Sequence, residues 1–206
     1  NNASVFSNES QYNKKRTVGN FANLSVAWKN MLYLSGSIRN DIVSSMPRDN
    51  RSFTYPSVSL GFIFTELAPL KNNILTFGKI RASYGLVGND RIGGERFLFL
   101  PDAYIRVSSP GYYFGTGQTK YSGYKESKLG NPYVTWEKAK KTNLGLDLRF
   151  FKDRLNFSAD YFIEKRSNIL YSLNLPLWFG DPSIVPPYNV GRTENKGYEF
   201  EFGYKD

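Results

Sequence analysis

Strict alternation between apolar and polar residues most constrains the fold of this chain, because it recurs in segment after segment of the sequence. Successive side chains of a β-strand point to opposite faces, so a period of two is typical of a strand with two different faces. The segment 142–150 is the clearest case, with an apolar face made of Leu144, Leu146, Leu148 and Phe150. No window sustains the spacing of an amphipathic helix, and we therefore predict an all-β, antiparallel chain.

Seven segments carry the alternation and are predicted to be strands, with bounds 17–28, 31–42, 54–65, 74–87, 136–150, 154–171 and 196–205. Most offer enough residues for a tilted membrane crossing of about 9–11, whereas strands of globular proteins average about five or six. The connections at one end are short, at 29–30, 66–73 and 151–153. Those at the other end are long, at 43–53, 88–135 and 172–195. This asymmetry is typical of bacterial outer-membrane barrels.

Aromatic residues make up 17% of the sequence, and several fall near predicted strand ends: Trp28, Tyr55, Phe150, Phe151 and Tyr204. Membrane barrels carry such girdles where their apolar band meets the headgroups. The alternation by itself also fits a soluble β-sandwich, whose strands show the same period. A transmembrane barrel segment is the prediction that strand length and loop asymmetry favour.

The chain has no Cys and no His, which removes thiol nucleophiles, zinc sites built on those ligands, and the Ser-His-Asp triad. Glu199 and Glu201 share one strand face, and paired carboxylates can hydrolyse glycosides. Inward-facing charge is, however, normal in the polar lumen of a barrel. We expect no catalysis, no metal site and no cofactor in this chain.

In the segments 74–87 and 142–150, charged residues keep to the polar parity of the strand. In a barrel this parity faces the lumen, because the opposite parity must face lipid. The residues predicted to face the lumen are Arg39, Lys79, Arg81, Asp147, Arg149, Asp160, Glu199 and Glu201.

Four stretches resemble the barrel of SusC/RagA-type TonB-dependent transporters, in the order of that family. They are YPSVSLGF at 55–62, KIRASYGLVGN at 79–89, NPYVTWEK at 131–138 with NLGLD at 143–147, and NVGRTENKGYE at 189–199. Each string alone is a weak signal, whereas four in register are specific. Phe62 stands where the family pattern often has Trp.

The resemblance implies a barrel of about 22 strands with a plug, energised by the TonB complex and capped by a SusD-like surface lipoprotein. It also implies a multi-pass protein of a Gram-negative outer membrane that contacts lipid and imports oligosaccharides or peptides. Residues 1–206 are expected to be part of that barrel domain, with the plug, the TonB-binding segment and the closing strand absent. A soluble carbohydrate-binding β-sandwich of a surface adhesin or lectin, and a passive porin, are the alternatives.

Despite a net charge of +9, we expect no nucleic-acid partner, because the basic runs at 14–16 and 138–141 lie at predicted strand ends, where they are interpreted as charge that faces solvent or lipid headgroups. The long segment from Gly88 to Asn131 is rich in Tyr, Gly and Arg, unlike typical disordered segments, and is predicted to be an ordered loop. Its aromatics and Trp178 are predicted to contact substrate or the lipoprotein lid, or else to pack the loops together. These candidates are Tyr104, Tyr112, Tyr113, Phe114, Tyr121, Tyr124 and Trp178.

Overall fold

The computed structural model describes residues 12, 14–67, 72, 74–91, 97–102, 104–125, 127–173, 176, 178 and 184–206, and the side chains of 105–112 lie outside that description. The strands are β1 Thr17–Trp28, β2 Leu32–Val43, β3 Ser52–Ile63, β4 Leu75–Asn89, β5 Ile105–Phe114, β6 Thr119–Lys125, β7 Glu137–Phe150, β8 Leu155–Tyr171 and β9 Tyr188–Tyr204. Short 3₁₀ helices at Arg48–Asn50 and Phe64–Glu66 follow β2 and β3. Seven strands form one antiparallel sheet in the order β1-β2-β3-β4-β7-β8-β9, and β5 pairs with β6 in a separate hairpin.

The predicted strands all lie in the large sheet, next to their neighbours in sequence, so the all-β prediction is confirmed. Two details were wrong. The last strand begins at Tyr188 instead of residue 196, because 188–195 pairs with the far end of β8. The segment 88–135, predicted to be a loop, contains the β5–β6 hairpin.

Two of the short connections, at 29–30 and 151–153, are tight turns with left-handed residues. Lys29 and Asn30 both have positive φ, of 51° and 52°, and the Met31 amide donates to the Trp28 carbonyl at 3.0 Å. Two positive φ angles are the signature of a type I′ turn, whose twist matches that of the flanking strands. The β7–β8 turn likewise runs through Phe151, Lys152 and Asp153 at positive φ.

The register aligns the apolar parity of every strand on one face of the sheet, here called the apolar face. One row of cross-strand neighbours runs Val26, Leu34, Leu60, Ala82, Leu144, Tyr161, Tyr198. The adjacent row runs Trp28, Leu32, Phe62, Ile80, Leu146, Ala159, Phe200. A slip of one residue would move each set to the other face, so the match across seven strands specifies the register.

No second sheet covers the apolar face within the described residues. Leu34 is 47% exposed, Leu144 52% and Phe200 66%, although each lies inside the sheet pattern. A soluble sandwich would bury this face against another sheet about 10 Å away. The described part of the chain contains no helix long and apolar enough to cross a membrane.

The buried apolar core lies instead among the long connections, at the end of the sheet opposite the tight turns. It consists of Val43, Met46, Leu98, Val134 and Trp136. This end is called the loop end, and the other the turn end. The segments between the strands at the loop end therefore pack on each other as a folded unit.

Candidate functional site

An ion cluster occupies the polar face, the side of the sheet opposite the apolar face. Arg81 of β4 donates from Nε to Asp147 Oδ2 at 2.8 Å and from its terminal nitrogen to Asp147 Oδ1 at 3.0 Å. The same terminal nitrogen donates to Asp160 Oδ2 at 3.0 Å, and Ser158 Oγ donates to Asp147 Oδ1 at 3.1 Å. Bidentate guanidinium–carboxylate contacts are strong and orientation-specific, so the cluster fixes Arg81 flat on the sheet.

Glycine at position 145 makes this cluster possible. Gly145 lies between Arg81 and Asp160 in the register. A Cβ on Gly145 would stand 2.7 Å from Asp160 Oδ1 and 2.8 Å from Arg81 Cζ, closer than side chains pack. The ion cluster therefore occupies the space that a side chain at position 145 would fill.

The residues predicted to face the lumen share the polar face. Arg39 lies beside Asp41, with its Nε 2.9 Å from Asp41 Oδ1, and the Tyr55 hydroxyl donates to the same carboxylate. Tyr55 therefore serves this network rather than the lipid-facing girdle predicted for it. The Arg149 guanidinium lies 4.8 Å from the centre of the Phe77 ring. The others follow in the register, at Lys79, Arg81, Asp147, Asp160, Glu199 and Glu201.

Next to the ion cluster, small side chains leave an open depression of about 350 Å³ in the polar face. Its floor is a cross-strand row of Ser35, Ser59, Ser83 and Asn143, and Tyr33, Lys79 and Arg81 border it. Serine hydroxyls and an amide offer both donors and acceptors to water or to a polar solute. The depression is a hydroxyl-lined surface with a cationic border.

Asparagine side chains tie the connections together at the loop end. Asn189 donates to the carbonyls of Thr135 and Asn168 at 2.9 and 2.8 Å, and accepts from the Thr135 amide at 2.9 Å. Asn131, 1% exposed, donates to the Pro187 carbonyl at 2.9 Å. The amides of buried Asn131 and half-buried Asn189 satisfy backbone groups that have no strand partner, so each holds two connections in place.

The segment around Trp136 completes this arrangement. Trp136 Nε1 donates to the Asn50 carbonyl at 2.9 Å, and its ring stacks on Phe53 at 5.5 Å between ring centres. The Glu137 carboxylate accepts from Asn89 Nδ2 at 2.9 Å and from the Leu170 amide at 3.2 Å. The motif residues Asn89, Asn131, Trp136, Glu137 and Asn189 are therefore the cross-links of the loop end.

Aromatic side chains project from the β5–β6 hairpin and its surroundings. Phe114 and Tyr121 meet edge-on at 5.7 Å between ring centres. The exposed fractions lie between 54% and 81% for Tyr104, Tyr113, Phe114, Tyr121, Tyr124 and Trp178. Tyr112 lies in β5, opposite Tyr121 in the register. The hairpin brings together five of the seven predicted aromatic contacts, at positions 112, 113, 114, 121 and 124.

Sequence reasoning missed Gly145 and the asparagines of the loop end as positioning residues. Gly145 could have been found from its place between Asn143 and Asp147 on the polar parity of an alternating strand. The asparagines bond to backbone carbonyls as many as 56 positions away, so no local pattern reveals their partners. Among the described residues, no group of three or more Asp and Glu side chains could hold a metal ion.

The family model for the TonB dependent receptor-like β-barrel matches residues 1–205. The chain belongs to this family. Among its relatives, TonB-dependent receptor SusC of Bacteroides thetaiotaomicron is 31% identical over 189 residues, which is 91% of this chain and 18% of SusC. TonB-dependent receptor P39 of Formosa agariphila is 29% identical over 90% of this chain and 17% of its own length.

The fold comparison agrees with the family. The solved structure of the RagAB peptide importer in its closed-closed state matches with a TM-score of 0.75 at 25% identity, covering 90% of this chain and 19% of that chain. The chain is a β-barrel segment of the SusC/RagA-like TonB-dependent receptors, a family of outer-membrane proteins. It spans less than a fifth of the length of the two curated relatives named above.

Proposed function

We propose that this chain forms part of the wall of an outer-membrane importer that takes up glycan or peptide nutrients with TonB-derived energy. The observation that carries the proposal is the two-faced sheet, with an uncovered apolar face and an ion-paired polar face. In this proposal residues 1–206 are one part of the barrel domain, and the plug, the TonB-binding segment and the closing strand lie outside them. Each long strand of the sheet crosses the membrane once, which makes the protein multi-pass.

The edges of the sheet support membrane closure with further strands. β1 and β9 each have a strand neighbour on one side only within the described residues. Backbone groups in the hydrocarbon core have no water to bind, so an open edge there costs several kcal/mol per unpaired group. In the proposed barrel, further strands pair with both edges.

In the proposed barrel the polar face lines the lumen. Arg81 is offset by Asp147 and Asp160, and Arg39 by Asp41, so fixed charge on this wall is largely compensated. A compensated, hydroxyl-rich wall lets a polar nutrient pass without holding it by a single strong charge. We assign Lys79, Arg149, Glu199 and Glu201 to the same wall.

The hairpin aromatics at the loop end are proposed to contact the nutrient or a SusD-like lipoprotein lid. Exposed Tyr and Phe rings present flat apolar surface with polar tips, which suits sugar C–H faces and apolar peptide groups alike. Trp178 and Tyr104 belong to this proposed contact surface. Catalysis is not part of the proposal, and the chain acts by shape and positioning.

Uptake in cells that lack the full-length gene tests the proposal. We expect uptake of an oligosaccharide or peptide pool to fall on deletion, to return with the wild-type gene, and to be lost again when TonB is removed. Uptake that persists without TonB would identify a passive porin instead. Removing 105–125 should leave surface abundance normal and reduce uptake, because β4 and β7 are untouched; normal uptake at normal abundance would reject the hairpin contact.

A further inference from the structure

Basic side chains gather on the apolar face where it reaches the loop end. Along β7, β8 and β9 this face changes from apolar to cationic within one or two steps of the alternation. We call these residues the basic collar: Lys138, Lys140, Lys165, Arg192 and Lys196. They lie on the opposite side of the sheet from Arg81, so the collar is separate from the proposed nutrient path.

Like charges face each other within the collar. Lys140 and Lys165 are directly opposite in the β7–β8 register, and Lys165 is in turn opposite Glu194. Lys165 Nζ lies 3.4 Å from Glu194 Oε2, and Glu194 is the only acidic residue that β7, β8 and β9 place on this face. Directly opposed like charges destabilise a strand pair, and one carboxylate leaves a surplus of positive charge. The surplus suits an anionic partner.

The height of the collar identifies that partner as a lipid. On β8 the apolar face is free of charge from Leu155 to Ile163, and Lys165 is the next residue on it. Eight residue steps of about 3.4 Å, tilted by about 40°, give a height of about 21 Å, close to the apolar band of about 25 Å in membrane barrels. Lys140, Lys165, Arg192 and Lys196 are exposed. The collar therefore lies at the boundary of the apolar band, at headgroup level.

We propose that the basic collar binds the phosphate groups of outer-leaflet lipid. This inference rests on the proposed membrane placement, in which the loop end faces outward. Lysine and arginine stems lie along the apolar face while their charged ends reach the headgroups. A soluble anion would not need the adjoining apolar row that contains Tyr161 and Tyr198. A lipid contacts that row with its acyl chains and the basic collar with its phosphates.

Lipid binding by the full-length protein tests the collar. The purified transporter in non-ionic detergent is titrated with phosphorylated lipid A, and native mass spectrometry measures the bound fraction. The collar variant carries Lys140→Gln, Lys165→Gln and Lys196→Gln. The matched control removes as many charges at the turn end, through Lys29→Gln, Lys152→Gln and Lys205→Gln. Surface lysines contribute about fivefold each to the binding of anionic lipid, so we expect the collar variant to bind at least tenfold more weakly.

Further measurements distinguish a loss of charge in the collar from a loss of folded protein. Wild-type protein should bind lipid A stripped of its phosphates as weakly as the collar variant binds the phosphorylated form. Arginine at the same three positions should preserve binding, which a folding defect would not. Unchanged affinity of the collar variant, or an equal loss in the turn-end control, would overturn the proposal. Wild-type protein that binds phosphorylated lipid A but supports no TonB-dependent uptake would refute the importer and leave the collar intact.

Discussion

Arginine introduced at position 146 should prevent membrane assembly, whereas arginine at position 143 of the same strand should not. Leu146 belongs to the apolar row between Ile80 and Ala159. Asn143 belongs to the polar face, next to Ser83 at the depression. The two substitutions add the same side chain to β7, three residues apart, and differ in the face that receives it.

The position of Leu146 in the membrane determines the free-energy cost of an arginine there. Leu146 lies four positions from Phe150 at the turn end and four positions from Thr142 at the loop end. At about 3.4 Å per residue and a tilt of about 40°, each distance is about 10 Å, which places Leu146 near the middle of the apolar band. Arginine at the midplane of a lipid-facing strand costs about 2–4 kcal/mol, or about 30- to 700-fold in the assembly equilibrium.

The assay is the surface abundance of the full-length protein, with the heat-modifiable fraction on gels as the measure of folded barrel. Leu146→Arg should reduce both, and Asn143→Arg should leave both close to wild type. Normal assembly of Leu146→Arg would refute the assignment of the apolar face to lipid. Equal damage from the two substitutions would refute the two-faced account of β7.

Three further predictions concern the ion cluster and the loop end. Arg81→Met should lower the free energy of unfolding by about 1–2 kcal/mol in thermal melts, because two partly buried carboxylates lose their cation, and Arg81→Lys should recover part of it. Gly145→Ala should lower the free energy of unfolding by about 1–3 kcal/mol, because the new methyl group displaces Arg81. Gly203→Ala should change it by no more than about 0.5 kcal/mol, because the nearest atom to a Cβ there is 3.6 Å away. Asn189→Ala should expose the segment 127–136 to protease on intact cells without loss of the barrel, because the bonds to Thr135 and Asn168 are lost. Asn195→Ala, at an exposed position, should leave that segment protected, and equal protection in the two variants would contradict the bracing role of Asn189.

The two faces of the sheet could be predicted from the sequence because the period of two is a local property of the backbone. Leu144 to Phe150 and Leu155 to Tyr161 alternate without interruption, and their observed register pairs Leu146 with Ala159 as the alternation requires. Once the parity of each strand and the position of each tight turn are known, two strands joined by that turn can be predicted to pair in the sheet.

Elements that depend on distant backbone could not be predicted. The first eight residues of β9 lack an apolar alternation and are a strand because β8 extends to Tyr171 beside them. The β5–β6 hairpin was missed because Ser108-Ser109-Pro110-Gly111 reads as a loop, whereas the structure places a register shift between Val107 and Tyr112.

Lipid and water accessibility along β7 tests the two-faced sheet most directly. The sequence contains no Cys, so single cysteines can be placed from position 142 to 148 in full-length protein freed of other thiols. A water-soluble thiol reagent and a lipid-borne quencher then report the surroundings of each label in reconstituted membranes. We predict that 142, 144, 146 and 148 are quenched by lipid and that 143 and 147 react with the aqueous reagent, with position 145 left as glycine because a side chain there would displace Arg81. Equal accessibility at even and odd positions, or the opposite alternation, would contradict the assignment of one face to lipid and the other to the lumen.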